Sequence, residues 1–422
     1  HANLDPAPLV QALYDSSAIV RRTACAALAQ TRSASAIQPL ADRLGDTDGA
    51  VRAAAAQTLR QFGSAATPIA LHALDAADET TQTAALEALT SDPVMLSPVR
   101  AFAQRQIERL RWLRQIDLGI PDRGRHARFL RALIADRAVT CEQRLIKALG
   151  LLGDPNAMQQ VGRGLQAPSA DARAAAVEAL DTLGDKPLVK QIIPLLEEAQ
   201  PGERLSIEAA LRQCLESNDV WLCAGAARAI PELNAPELSP LLRALSIEAE
   251  SLAGGAAHDA LHEMNEVKAM ETLQTMSMME RVLLLHEVPL FADLSPDDLA
   301  QIAAIAREQW HDDGSLICRE GEWGREMHVV AQGQVRVTKQ TPDSEKFLAT
   351  RYAGDFIGEM SIVLATPRTS SVYAAGEVRT LVISDEALKT ILHDRPDVAL
   401  LMMRGVMQRF REIEDRLAQA LE

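Results

Sequence analysis

With 422 residues carrying 43 Lys and Arg against 58 Asp and Glu, the chain has a formal charge of −15, which argues against non-specific nucleic-acid binding, because phosphate contacts need a basic surface. Aromatics are only 3% of a chain that is 47% hydrophobic, so Ala and Leu supply most of the apolar content and favour packed helices over a large sheet. At roughly 100–200 residues per domain, two to four domains are expected. Cys25, Cys141, Cys214, Cys223 and Cys318 lie far apart without CxxC spacing, and read as small buried hydrophobes in a reducing compartment. No apolar run approaches the roughly 18 residues of a membrane span, and no signal peptide is visible. The chain opens on His1-Ala2 without an initiator Met, as an excised piece of a longer membrane protein would, or a cloning scar.

From the N-terminus, one pattern recurs: a residue at i, Ala at i+4 and a large aliphatic at i+8. It occurs as Val20/Ala24/Leu28, Val51/Ala55/Leu59 and Thr81/Ala85/Leu89, at steps of 31 and 30 residues, and again as Ala172/Ala176/Leu180 and Leu222/Ala226/Ile230. The step of four puts each trio on one helix face. Leu152-Gly153-Asp154 and Leu183-Gly184-Asp185 end one helix and supply a cap for the next. Helix pairs that cannot bury their apolar faces alone must stack, which gives an α-solenoid.

The region resembles HEAT repeats, and more closely the short phycobilisome-lyase type, through Asp46, Asp48, Val51-Arg52, Ala53–Ala56 and the Leu-Gly-Asp turns. The resemblance implies a fold; it carries no bilin site. Blocks of repeats are expected at 3–97 and 138–250. Between them, 98–137 interrupts the array with Arg100, Arg105, Arg109, Arg111, Arg114, Arg123, Arg125, Arg128, Arg131 and Arg137 against four acids, over a stripe of Val99, Phe102, Ile107, Leu110 and Leu113. This is either a docking face for an acidic partner or membrane, or a solvated face pairing internally with the acidic repeats. His258 and His262 stand at ligand-like spacing without a third ligand, so no metal site is expected.

Residues 251–284 are expected to form a helical connector, Met- and Leu-rich from Glu266 to Leu284. Ser295-Pro296-Asp297-Asp298 then starts a helix running to about Arg307. Beyond it short strands are expected at Ser315–Arg319, Met327–Ala331, Gln334–Lys339, Phe347–Tyr352, Ser371–Ala374 and Arg379–Ile383, punctuated by glycines, as in a small β-roll. A short helix over Asp385–Leu392 and a long one over Asp397–Leu421 would follow. The fold expected is mainly α with an α+β C-terminal domain at 285–422: an α-solenoid followed by a jelly-roll-like β-roll with flanking helices.

The chemistry concentrates in Phe356–Ser371. Gly358 admits close approach, Glu359–Leu364 can form a short helix, and Pro367 sets the backbone before Arg368, whose planar fork suits a phosphate. Glu359 and Arg368, nine positions apart, can face one ligand, such as a ribose bearing a phosphate. The net charge of −15 does not exclude this, because screening sets in beyond about 8 Å at physiological salt.

The segment resembles the phosphate-binding cassette of cyclic-nucleotide-binding domains, shared by cAMP-dependent kinase regulatory subunits, cyclic-nucleotide-gated channels and catabolite activators. The Gly-Glu, the nine-residue step and Thr366-Pro367-Arg368-Thr369 carry the likeness, together with Gly314, Glu320-Gly321, Gly333 and Gly354. The resemblance implies that Glu359 accepts the ribose 2′-hydroxyl, that Arg368 pairs with the cyclic phosphate, and that the backbone at Gly358, Met360, Ser361 and Thr369 donates to phosphate oxygens. Val337, Ala349 and Arg351 would line the base, Arg351 departing from the usual aliphatic, and Arg409 or Arg416 would cap it. Thr369 keeps cGMP beside cAMP as a ligand. The function implied is a cytoplasmic cyclic-nucleotide-sensing regulatory module that relays binding to a protein-interaction solenoid. The domain order also resembles the soluble tail of bacterial ATP/ADP-carrier-like transporters, at the inner face of the membrane. The alternative is a HEAT-like scaffold with a vestigial nucleotide domain. No nucleophile–base set, Walker loop or metal set points to an enzyme, and no cofactor is expected.

Overall fold

The computed structural model describes residues 5–411 apart from 77, 91, 197–203, 265–274, 342–343, 364–365, 395–397, 401, 405–406 and 408–410. Two compact units are present: one holds residues 1–120 and 134–206, the other 121–133 and 207–422. The division falls inside the Arg125–Leu152 helix and splits the repeat block read as 138–250, so the units do not follow the sequence-read boundaries.

In the first unit the repeat trios become core. Ala24 and Leu28, Val51, Ala55 and Leu59, and Ala85 are buried on the first helices of stacked repeats; Leu89 is buried just past the end of its helix, Glu79–Ala88, and Val20, in the terminal repeat, is 38% exposed. The turn residues explain the stacking. Asp46 is buried and takes Arg21 Nη2 and Nε at 2.6 and 2.8 Å and the Asp48 amide at 3.0 Å, while Asp48 caps the Gly49–Phe62 helix through the Val51 amide at 2.8 Å. Burial alone would raise the Asp46 pKa, but the Arg21 bonds and the Asp48 amide outweigh it and hold the carboxyl below its ordinary value. Asp154 likewise caps Pro155–Leu165 through the Asn156 amide at 2.8 Å.

The Arg-rich stretch forms most of one long helix, Leu96–Gly119, and the start of another, Arg125–Leu152, with Val99, Phe102, Ile107, Leu110 and Leu113 fully buried. Its charge is spent largely inside the units: Arg100 pairs with Asp185 at 2.8 Å, Arg105 with Asp75 at 2.7 Å and Arg114 with Glu142 at 2.9 Å. Arg144, 1% exposed, meets Glu79 at 3.0 Å. These pairs favour the internally paired reading over the docking face. Among the described residues no helix is long and apolar enough to cross a membrane.

In the second unit the Val220–Leu233 helix is buried along nearly its whole length, and Leu252–Met264 packs on it. The Met- and Leu-rich run is not one helix: Ser277 starts a new one, Met278–Glu287, through a capping box with Glu280, and 265–274 lies outside the described residues. Side chains join this helix and the next, Pro296–Ile305, to the repeat helices of the same unit. Trp221 Nε1 donates to Asp297 at 2.8 Å, Arg125 Nε to Glu287 at 2.7 Å, and Phe129 meets His286 edge-on at 5.1 Å. Glu232 accepts the Arg125 and Ala127 amides at 2.6 and 2.9 Å and so caps the Arg125–Leu152 helix.

The strands are β1 (Arg307–His311), β2 (Leu316–Cys318), β3 (Glu326–Gln340), β4 (Glu345–Tyr352), β5 (Phe356–Ile357) and β6 (Ser371–Ser384). All pair antiparallel, in the order β1-β6-β3-β4, with β2 on β6 and β5 on β3. Two differences from the sequence reading have one cause each. The helix expected to reach Arg307 stops at Ile305, because Arg307–His311 pairs with β6 from Arg307↔Val382 to His311↔Val378. The paired strands expected at 327–339 and 371–383 are two continuous ones, because Gly333 on β3 and Gly376 on β6, at φ 83 and 84, absorb the irregularity as register shifts rather than turns. Val330, Val335, Ile357, Val372, Ala374 and Val378 form the core of the roll.

Glu308 ties this roll to the start of the Met278–Glu287 helix. Its carboxylate, 8% exposed, accepts from Arg281 Nη2 at 2.8 Å, Arg379 Nε at 2.9 Å and the Met276 amide at 2.7 Å.

Candidate functional site: a cradle around Arg368

The cassette begins where β5 ends. Gly358 has φ 84, a region side chains disfavour, and a Cβ there would stand 2.1 Å from Arg368 Nη1, so backbone and space both require glycine. The short helix follows as Glu359–Val363; Leu364 lies outside the described residues. Arg368 turns back under it, only 9% exposed. Its Nη1 donates to Gly358 O at 2.8 Å and to Ser361 Oγ at 3.1 Å, and its Nη2 to Glu326 O at 2.5 Å. The Arg368 main chain is fixed as well, its amide donating to Glu322 O at 2.8 Å and its carbonyl accepting from the Gly321 amide at 2.9 Å. The guanidinium is thus preset by backbone carbonyls, which orient the charge without neutralising it.

Glu359 is half-buried at the first position of the short helix, and no protein donor reaches its carboxylate among the described residues. Ser361 is buried, whereas Met360 and Thr369 are exposed. Of the residues expected around the base, Val337 and Ala349 are cross-strand partners on β3 and β4, and Arg351 stands opposite Val335. The two-residue alternation puts all three on one sheet face, where Val337 packs against the roll core. Arg409 and Arg416 lie outside the described residues.

Three features escaped the sequence reading. Gly324 and the Glu326 carbonyl, both from the β2–β3 connection and its end, abut the guanidinium. His328 is buried on β3 opposite Ile357, its ring 6.1 Å from that of His311, whose Nε2 lies 3.0 Å from Thr380 Oγ1. Burial first, then the charges of Arg368 and His311, push the His328 pKa down to about 4. Only the tertiary packing reveals these; inward alternation along β3 was the one available signal. The His258 and His262 rings are 4.4 Å apart, and no group of three or more His, Cys, Asp or Glu among the described residues could hold a metal ion.

Comparison with known proteins matches residues 308–395 to the cyclic nucleotide-binding domain and residues 6–90 to HEAT repeats. Over 139 residues the chain is 27% identical to a CRP-like cAMP-activated global transcriptional regulator of Mycobacterium tuberculosis, covering 33% of this chain and 62% of that protein. Over 126 residues it is 33% identical to a cyclic nucleotide-gated potassium channel of Rhizobium etli, covering 30% of this chain and 34% of the channel. A cGMP-dependent protein kinase of Drosophila melanogaster is 32% identical over 140 residues, covering 31% of this chain and 15% of the kinase. Among solved structures, the N-terminal domain of a transcriptional regulator from Streptomyces coelicolor A3(2) is similar over 32% of this chain and 94% of its own, at 32% identity and TM-score 0.30. The chain spans less than two thirds of each of these three curated relatives. It carries HEAT repeats at its N-terminal end and a cyclic nucleotide-binding domain at its C-terminal end.

Proposed function

We infer that the chain is a regulatory module that binds cAMP or cGMP and passes the binding on to its repeat helices. The observation that carries this reading is the pairing, within one cassette, of a buried and preset Arg368 with a Glu359 carboxylate that no protein donor occupies among the described residues. Arg368 would hold the cyclic phosphate with Gly358, Met360, Ser361 and Thr369, Glu359 would accept from the ribose, and Val337, Ala349 and Arg351 would face the base. The relatives named for cAMP and for cGMP support the ligand class and leave the base open. The same reading makes the chain a binding module with no catalysis of its own. Five buried free cysteines support a reducing, cytoplasmic setting. A membrane transporter as the regulated partner rests on the resemblance in domain order.

One observation favours the scaffold alternative: the Arg368 guanidinium already donates to three protein acceptors. Calorimetry of the full chain with each nucleotide separates the two. Binding is expected, weakened about tenfold to a hundredfold by Arg368→Ala, since hydrogen bonds to a charged group contribute about 1.5–3 kcal/mol. No heat with either nucleotide on the native chain would favour the scaffold.

A further inference from the structure

Two glycines flank the Arg368 guanidinium, and they differ in why they are glycine. Gly358 has positive φ as well as a crowded Cβ position. Gly324 lies outside the cassette, between β2 and β3, and is not among the glycines with positive φ, so its φ does not itself call for glycine. What it could not accept is the volume. A Cβ on Gly324 would stand 2.0 Å from Arg368 Nε, 2.2 Å from Cζ and 2.5 Å from Nη2. Gly321, three residues earlier, shows the opposite case, with φ 83 and nothing within 4 Å of its Cβ position. Gly321 is needed for the turn, and Gly324 for what sits against it.

Resting on the reading of Arg368 as the phosphate ligand, we propose that Gly324 is a positioning residue of the nucleotide site: its missing side chain is the room in which the guanidinium lies. The crowded atoms are all at the far end of the Arg368 side chain, which can move, while the loop backbone is pinned through Gly321 and Glu322 to the Arg368 main chain. A methyl group at 324 therefore evicts the guanidinium instead of breaking the loop. The evicted side chain loses Gly358 O, Ser361 Oγ and Glu326 O together, and with them the orientation of its charge.

The test is a double-mutant cycle on the full chain, with cAMP and cGMP calorimetry and thermal melting as paired readouts. Gly324→Ala is expected to weaken binding at least tenfold in the native background and less than twofold in Arg368→Ala. In melting, the drop caused by Gly324→Ala should shrink or vanish once Arg368 is Ala, because the methyl group then fills free space. Unchanged affinity in Gly324→Ala, or equal losses in both backgrounds, would overturn the proposal. If the native chain binds neither nucleotide, the proposed function fails. The melting cycle then still decides the steric claim: equal drops refute it, and a shrunken drop upholds it.

Discussion

Replacing Glu308 by Ala is expected to destabilise the second unit by about 3–5 kcal/mol, the usual cost of removing one partner from a buried ion pair. The carboxylate is 8% exposed and serves three donors, Arg281, Arg379 and the Met276 amide. The two guanidiniums are themselves only 19% and 13% exposed, so water can restore little of what is lost. The amide orphaned at Met276 adds to the cost, which places the effect well above the range of about 0–1 kcal/mol for exposed pairs. Trp310 reports on this site, since the Arg379 guanidinium lies 5.1 Å from its ring. Urea unfolding can be followed by its fluorescence with Trp112, Trp221 and Trp323 replaced by Phe in both proteins. Glu308→Gln, which keeps acceptor capacity, should lose less than Glu308→Ala. A loss under about 1 kcal/mol for Glu308→Ala would refute the reasoning, because the cluster would then be solvated.

In the first unit, Asp46→Ala should cost about 3–5 kcal/mol in urea unfolding followed by circular dichroism, as it removes the carboxylate partner of Arg21, 11% exposed, and leaves it only the Asp15 and Ser16 carbonyls. The Asp46 pKa lies below its ordinary value when folded, so this stabilisation is present at neutral pH and lost as acid protonates the folded carboxyl; Asp46→Ala should flatten the acid limb of the stability profile. His328 acts through the same linkage. Its folded pKa of about 4 lies below the ordinary 6.5, so the unfolded chain takes up the proton first and stability falls as pH drops through that window. Between pH 7 and 5 the native chain should lose about 2 kcal/mol more than His328→Leu, measured by urea unfolding at each pH.

Much of the repeat array was legible because its determinants are local. Asp48 and Asp154 act within a few residues of the helices they cap, and the Ala and Leu trios keep helical spacing. The cassette was legible for a similar reason, since Gly358, Glu359 and Arg368 lie within eleven positions. What the sequence hid depends on long-range partners. Arg307–His311 could extend a helix or form a strand, and its pairing with β6, some seventy residues on, decides. Glu232 caps a helix that starts 107 residues earlier, and Gly324 looks like any loop glycine until Arg368 folds against it. The Met- and Leu-rich run suggested one helix because hydrophobic content outweighed the Ser277 cap signal.

The partition of the chain has a consequence for modularity. Residues 121–133 belong with 207–422, and 134–206 with the beginning, so no single cut separates the two units. Exchanging the cyclic nucleotide-binding domain with its preceding helix by one recombination crossover would leave Phe129 without His286, and Arg125 without Glu287. On the ribosome, the thirteen residues from Pro121 emerge long before the rest of their unit and must wait for it. An engineered exchange of the second unit therefore needs two junctions, not one.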